Sequence, residues 1–137
     1  MSIKRYMKKI ALFVAGVCIL STVAVAKIPD DIILALKTGN AKELTKYFDT
    51  TIELVVANKE NVYSKSQAEI ILRDFFQQHT PENFILIHEG GKENSRYAIG
   101  NLMTNKGMYR IYFLFKGNKD LSLIHQLRIE KENDTSR

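Results

Sequence analysis

Cysteine and proline are scarce in this chain of 137 residues: it holds one cysteine, Cys18, and two prolines, Pro29 and Pro81. Cys18 lies in an apolar run near the N-terminus. Beyond that run no disulfide framework, thiolate metal site or cysteine nucleophile can be built. Excess charge is also missing where it would matter. The formal net charge is +5, but Lys4, Arg5, Lys8 and Lys9 precede the apolar run and no acid accompanies them. From Lys27 onward 16 basic residues face 15 acidic ones. No electrostatic case for binding DNA, RNA or an anionic membrane survives that balance. Internal repeats, low-complexity tracts and linkers are absent as well, which leaves one domain rather than several.

What the N-terminus does contain is an address. A basic start, an uncharged stretch over 10–20 and the closing Ser21-Thr22-Val23-Ala24-Val25-Ala26 are the three parts of a secretory signal peptide, with cleavage expected after Ala26. The rival reading is a retained anchor in the inner membrane. The uncharged run over 10–26 has 17 residues, the low edge of what spans a bilayer. Its weakly apolar end favours cleavage, which leaves no stable membrane span. Val17 precedes Cys18 where a lipoprotein signal needs a small residue, so Cys18 reads as an ordinary apolar position. Met7-Lys8-Lys9-Ile10 resembles a normal start, so translation can begin at Met7 as well as Met1. The expected layout is a signal over 1–26, a domain over 27–130 and a flexible tail over 131–137.

The domain opens with helical signals. Pro29 and the acids Asp30 and Asp31 suit a first turn, Ile32, Ile33 and Leu36 form an apolar stripe, and Gly39 supplies a left-handed stop. Asn40 then caps a short second helix, with Glu43 as its capping-box partner. A strand follows over 51–57, a turn over 58–61 and a short return strand at Val62-Tyr63. Ser64/Gln67 and Ser66/Glu69 both have capping-box spacing at the start of a long helix. Its stripe is Ala68, Ile71, Leu72, Phe75, Phe76 and His79, and Thr80-Pro81 ends it. Everything after Pro81 reads as antiparallel sheet, with strands over 84–89, 96–104, 108–116 and 121–130. Gly90-Gly91-Lys92 lacks the strand-loop-helix setting of a phosphate loop and is read as the start of a hairpin turn.

This order of elements resembles the nuclear transport factor 2-like (cystatin-like) cone. The predicted class is α+β, with an N-terminal helical hairpin and a long helix packed on a curved antiparallel four-stranded meander. Three blocks bring a closer likeness. They are Gly39-Asn40-Ala41-Lys42-Glu43-Leu44, Tyr63-Ser64-Lys65-Ser66-Gln67-Ala68-Glu69, and Tyr97-Ala98-Ile99-Gly100-Asn101-Leu102 with Tyr109-Arg110-Ile111-Tyr112-Phe113 and Leu127-Arg128-Ile129-Glu130. Together they resemble small exported Bacteroidetes proteins grouped as domain of unknown function 4783. The resemblance implies the cone fold and export to the periplasm of a Gram-negative bacterium, and it brings no activity or catalytic residue with it.

Cone domains of that superfamily often hold a pocket between the long helix and the sheet, and some are isomerases, dehydratases or cyclases with an inward Asp or His as general base. On the long helix Asp74 lies opposite Leu72, Phe75 and Phe76 and is expected to face water, while Glu69 lies on the flank. Glu53 has the opposite parity to Ile52, Leu54 and Val56. No inward acid is demanded. His125 shares parity with Leu121, Leu123, Leu127 and Ile129, so it is expected to point inward and is the candidate ligand-binding residue. The bland alternative is a rim histidine bonded to a carbonyl. His88 is undecided, because Ile85 and Ile87 make both faces of its strand apolar. His79 sits where a helix dipole favours histidine, a structural role. The three are nine and 37 residues apart, spacings that match no metal-ligand motif, and no cofactor is called for. Tyr109, Ile111, Phe113 and Phe115 share one sheet face. Tyr112, Leu114, Ile124 and Ala98 make the other semi-apolar, which suggests a homodimer through it. The leading expectation is an exported, non-enzymatic domain binding a small apolar ligand or an envelope protein. The alternatives are an isomerase or dehydratase with His125 as base, and a structural homodimeric assembly module.

Overall fold

The computed structural model describes residues 28–117 and 123–133. The expected signal peptide, with Cys18 and Ala26, lies outside the described residues, as does the end of the expected tail. Helix α1 (Asp30–Thr38) begins after Pro29, carries Asp30 and Asp31 in its first turn and Lys37 in its last, and buries Ile32, Ala35 and Leu36. Gly39 ends it at φ 65°, a left-handed conformation in which glycine carries no Cβ penalty. Helix α2 (Ala41–Thr45) is capped by Asn40, whose side chain accepts from the Glu43 N–H at 3.1 Å. The reciprocal half of the expected box does not form. The Asn40 N–H already donates to the Ala35 carbonyl at 2.8 Å, and the Glu43 carboxylate takes the Lys46 ammonium at 2.7 Å.

Strand β1 (Phe48–Val56) turns through Ala57 and Asn58, both at positive φ, into β2 (Lys59–Ser64). Helix α3 (Lys65–Gln78) starts with a complete capping box: Ser64 Oγ accepts from the Gln67 N–H, and Gln67 Oε1 accepts from the Ser64 N–H. Of the two capping-box spacings, the chain uses this one. Glu69, the alternative partner, instead pairs with Arg73 at 2.7 Å. Four long strands follow: β3 (Pro81–Lys92), β4 (Ser95–Thr104), β5 (Gly107–Lys116) and β6 (Leu123–Lys131). The expected turn at Gly90-Gly91 is instead strand, since β3 continues to Lys92 and the chain reverses at Glu93-Asn94.

The sheet differs from the expected four-stranded meander. It has six strands in the order β2-β1-β6-β5-β4-β3. β1 runs parallel beside β6, with Leu54 opposite Leu127 and Val56 opposite Ile129, so the β1–β2 hairpin joins the sheet that β3 to β6 build. One face of this sheet is the core. Leu102, Ile111, Phe113, Leu127 and Ile129 are completely buried there, in one cluster with Leu72, Phe75 and Phe76 of α3 and Ile32 and Leu36 of α1. Burying each such side chain contributes about 1.5–3 kcal/mol. The opposite face carries Tyr97, Ile99, Tyr112 and Leu114 half-buried, with Ile85 and Ile87 more exposed.

Candidate functional site

A cleft of about 340 Å³ opens between α3 and the β1–β2 hairpin. One wall is Leu54, Val56, Ala57, Lys59 and Tyr63, and the other is Ile71, Asp74, Phe75, Gln78 and His79. The helix residues fall at i, i+3, i+4, i+7 and i+8, one face of an α-helix. This face overlaps the core stripe at Ile71, Phe75 and His79, then turns away to include Asp74 and Gln78. Asp74 therefore lies exposed, as its position opposite the stripe suggests, and still reaches the cleft.

His79 is fixed by its own helix. Its N–H donates to the Phe75 carbonyl at 2.8 Å and its ring Nδ1 lies 2.9 Å from the same oxygen. A carbonyl only accepts, so Nδ1 carries the proton, and Nε2 of the neutral ring is left as an acceptor. The ring stacks on Phe75 at 4.3 Å and meets Tyr109 edge-on at 5.2 Å. His79 is thus held at the end of its own helix, and it also lines the cleft. Gln78 Nε2 donates to Asp74 Oδ2 at 3.3 Å.

A broader hollow of about 470 Å³ lies at the start of α3, lined by Lys42, Lys46, Lys65, Ser64, Ser66 and Glu69 among others. Several of its polar groups are already engaged: Ser64 in the capping box, Lys46 with Glu43, and Glu69 with Arg73.

His125 does not point into the core. A bulge between Leu114 and Phe115 shifts the β5–β6 register, so that Ile124 pairs with Phe115 and Gln126 with Leu114. His125 is the extra residue, and the parity read from Leu127 and Ile129 fails on its N-terminal side. Ile124 is completely buried, whereas the His125 side chain is 39% exposed with Nδ1 3.6 Å from Asp49 Oδ2. That separation suits an ion pair when the ring is protonated and is too long for a hydrogen bond. His88 bonds the Tyr97 hydroxyl through Nε2 at 2.9 Å. The three histidines are thus in three different places, and among the described residues no group of three or more His, Asp or Glu side chains could hold a metal ion.

Glu53 lies near His125 with a second acid. A hydrogen bond from Glu60 holds the Glu53 carboxyl below its usual range, helped by one from Gln126 and by the charges of Arg128 and His125. The same bond pushes Glu60 up. The two carboxyls shift in opposite directions through each other, on the outward side of β1 and away from the cleft.

With this geometry in view, the family profile described as domain of unknown function (DUF4783) matches residues 29–130. The chain belongs to this family. A solved DUF4783 protein from Bacteroides uniformis is 34% identical, over 79% of this chain and all of that one, with a TM-score of 0.74. Another from Bacteroides ovatus is 33% identical, over 78% of this chain and 97% of that one, also at 0.74. A domain of unknown function with a cystatin-like fold from Nostoc punctiforme is 7% identical over 77% of this chain and 74% of that one, at 0.63. At that identity the likeness shows the fold, which is α+β and of the cystatin-like, nuclear transport factor 2-like kind. No curated protein matches the chain. That family is one of unknown function, and the cleft is the candidate site of this DUF4783 domain.

Proposed function

We propose that this DUF4783 domain is exported and binds a small, largely apolar molecule in the cleft between α3 and the β1–β2 hairpin. The cleft carries the reading: about 340 Å³, walled by Leu54, Val56, Ile71 and Phe75, with Asp74, Gln78 and His79 converging at one side. Ligand sites have this make-up, mostly apolar with a few placed polar groups and a volume of roughly 300–1,000 Å³. Export rests on the signal pattern over 1–26. His125 lies beside Asp49 and does not line this cleft, so the reading does not use it.

Native mass spectrometry of the protein, recovered from an exporting host without denaturation, tests the reading. A bound small molecule is expected on the parent and absent from Ile71→Trp, whose indole fills the cleft. Equal occupancy of both, with both folded by circular dichroism, would place the ligand elsewhere.

A second reading concerns the outer sheet face, where Ile85 and Ile87 are 52% and 51% exposed beside half-buried Ile99 and Tyr112. Its occupant is a second copy of the chain. The charges flanking that surface are already paired, Arg110 with Glu132 at 3.1 Å and Arg128 with Glu130 at 2.7 Å. Two copies meeting there keep both arginines paired. Sedimentation at tens of micromolar checks it, and a strict monomer would sink the idea.

A further inference from the structure

We infer that the cleft selects molecules carrying a protonated amine on a small apolar body, a conclusion that rests on the cleft being a ligand site. Its polar groups on the α3 side are acceptors in the main. Asp74 is a carboxylate. One N–H of the Gln78 amide is committed to Asp74 at 3.3 Å, which leaves its second N–H and the amide oxygen. The His79 Nδ1–H is committed to the Phe75 carbonyl at 2.9 Å, which leaves the Nε2 lone pair.

These three groups occupy the C-terminal end of a 14-residue helix, whose last turn holds no basic residue. The aligned peptide dipoles place about half a negative charge at such an end, and no Lys or Arg of that turn offsets it. A cation meets a full negative charge, a partial one and two neutral acceptors. The opposing charge in the lining is Lys59, the exposed first residue of β2 on the far wall. Lys59 weakens the preference without reversing it, since it is one charge against Asp74 and the partial charge of the helix end together. Leu54, Val56 and Tyr63 on that wall receive the apolar body.

Titration calorimetry on the full chain with 2-phenylethylamine, 2-phenylethanol and 3-phenylpropanoate separates the possibilities. The amine is expected to bind about tenfold more tightly than the carboxylate, with the alcohol between them. Asp74→Asn, an exposed substitution that leaves the core intact, is expected to bring the amine down to the level of the alcohol. Lys59→Met is expected to strengthen the amine. If the carboxylate or the alcohol binds as tightly as the amine, or Asp74→Asn keeps the preference, the charge inference falls while the ligand site stands. If none of the three binds at millimolar concentration, the ligand site itself falls, and the inference with it.

Discussion

The ring of Phe84 lies across Gly100 on the adjacent strand. A Cβ at Gly100 would come within 2.3 Å of Phe84 Cζ and 2.8 Å of the Ile85 carbonyl oxygen. Phe84 is 3% exposed, so its ring has no free space to turn into. Gly100→Ala is expected to cost about 1–3 kcal/mol through overpacking, despite the better strand propensity of alanine. For a domain of this size each kcal/mol lowers the melting temperature by about 4–8 °C. Adding Phe84→Leu should recover part of the loss. A single variant that melts with the parent would show that the ring moves aside freely.

The helix starts give a sharper comparison, because two candidate capping boxes overlap in the sequence and one forms. Ser64→Ala is expected to cost about 1 kcal/mol, the usual loss on removing a serine cap. Ser66→Ala should cost much less, since the Ser66 side chain accepts from no N–H of the first turn. At α2, Asn40→Ala should destabilise by a similar ~1 kcal/mol. Glu43→Ala should remove only an exposed pair with Lys46. Urea unfolding of the four variants checks the ranking, and equal losses at Ser64 and Ser66 would contradict it.

These caps also mark how much of the molecule was legible beforehand. Local signals carried through: the Gly39 stop, the Ser64–Gln67 box, the apolar stripe of α3 and four long strands all come from spacings of a few residues. What escaped depends on distant partners. The parallel pairing of β1 with β6 joins residues more than seventy apart, and no local pattern announces it. The reciprocal bond of the Asn40 box failed because the Asn40 N–H had gone to Ala35, in the helix before it. His125 was misplaced by one inserted residue, since a bulge reverses every parity argument carried across it. The polar side of the cleft escaped for a related reason. Asp74 does lie opposite Leu72, but α3 is wide enough for a neighbouring face to take Asp74, Gln78 and His79 to the same opening.

The carboxyl pair of Glu53 and Glu60 predicts a dependence on pH. Glu53 is held low, first by the Glu60 hydrogen bond, so its contribution to stability is present at neutral pH and lost as pH falls through its depressed value. Glu60 is raised by the same bond, so its contribution is present when it is protonated and lost as pH rises through its elevated value. Both windows lie near the ordinary carboxylate range, and the two effects oppose one another. Glu60→Gln keeps a donor for Glu53 and removes the second charge. It should melt slightly above the parent at neutral pH, and the two curves should converge as the pH drops below the carboxylate range. A variant no more stable than the parent at neutral pH would argue against the coupling of the two carboxyls.

The outer sheet face supplies the last expectation. If two copies pack through Ile85 and Ile87, folding is linked to association, and the melting temperature must rise with protein concentration. Lysine at both positions places charge on an edge strand, where it opposes strand and face pairing alike. Because both isoleucines are about half exposed, the substitutions should change the stability of the isolated domain by no more than about 0.5 kcal/mol each. The Ile85→Lys/Ile87→Lys variant should therefore sediment as a monomer and melt at one temperature whatever its concentration. The parent should sediment as a dimer, with a melting temperature that climbs over a hundredfold concentration range. A parent that melts independently of concentration would remove the dimer and leave the two isoleucines as ordinary exposed residues.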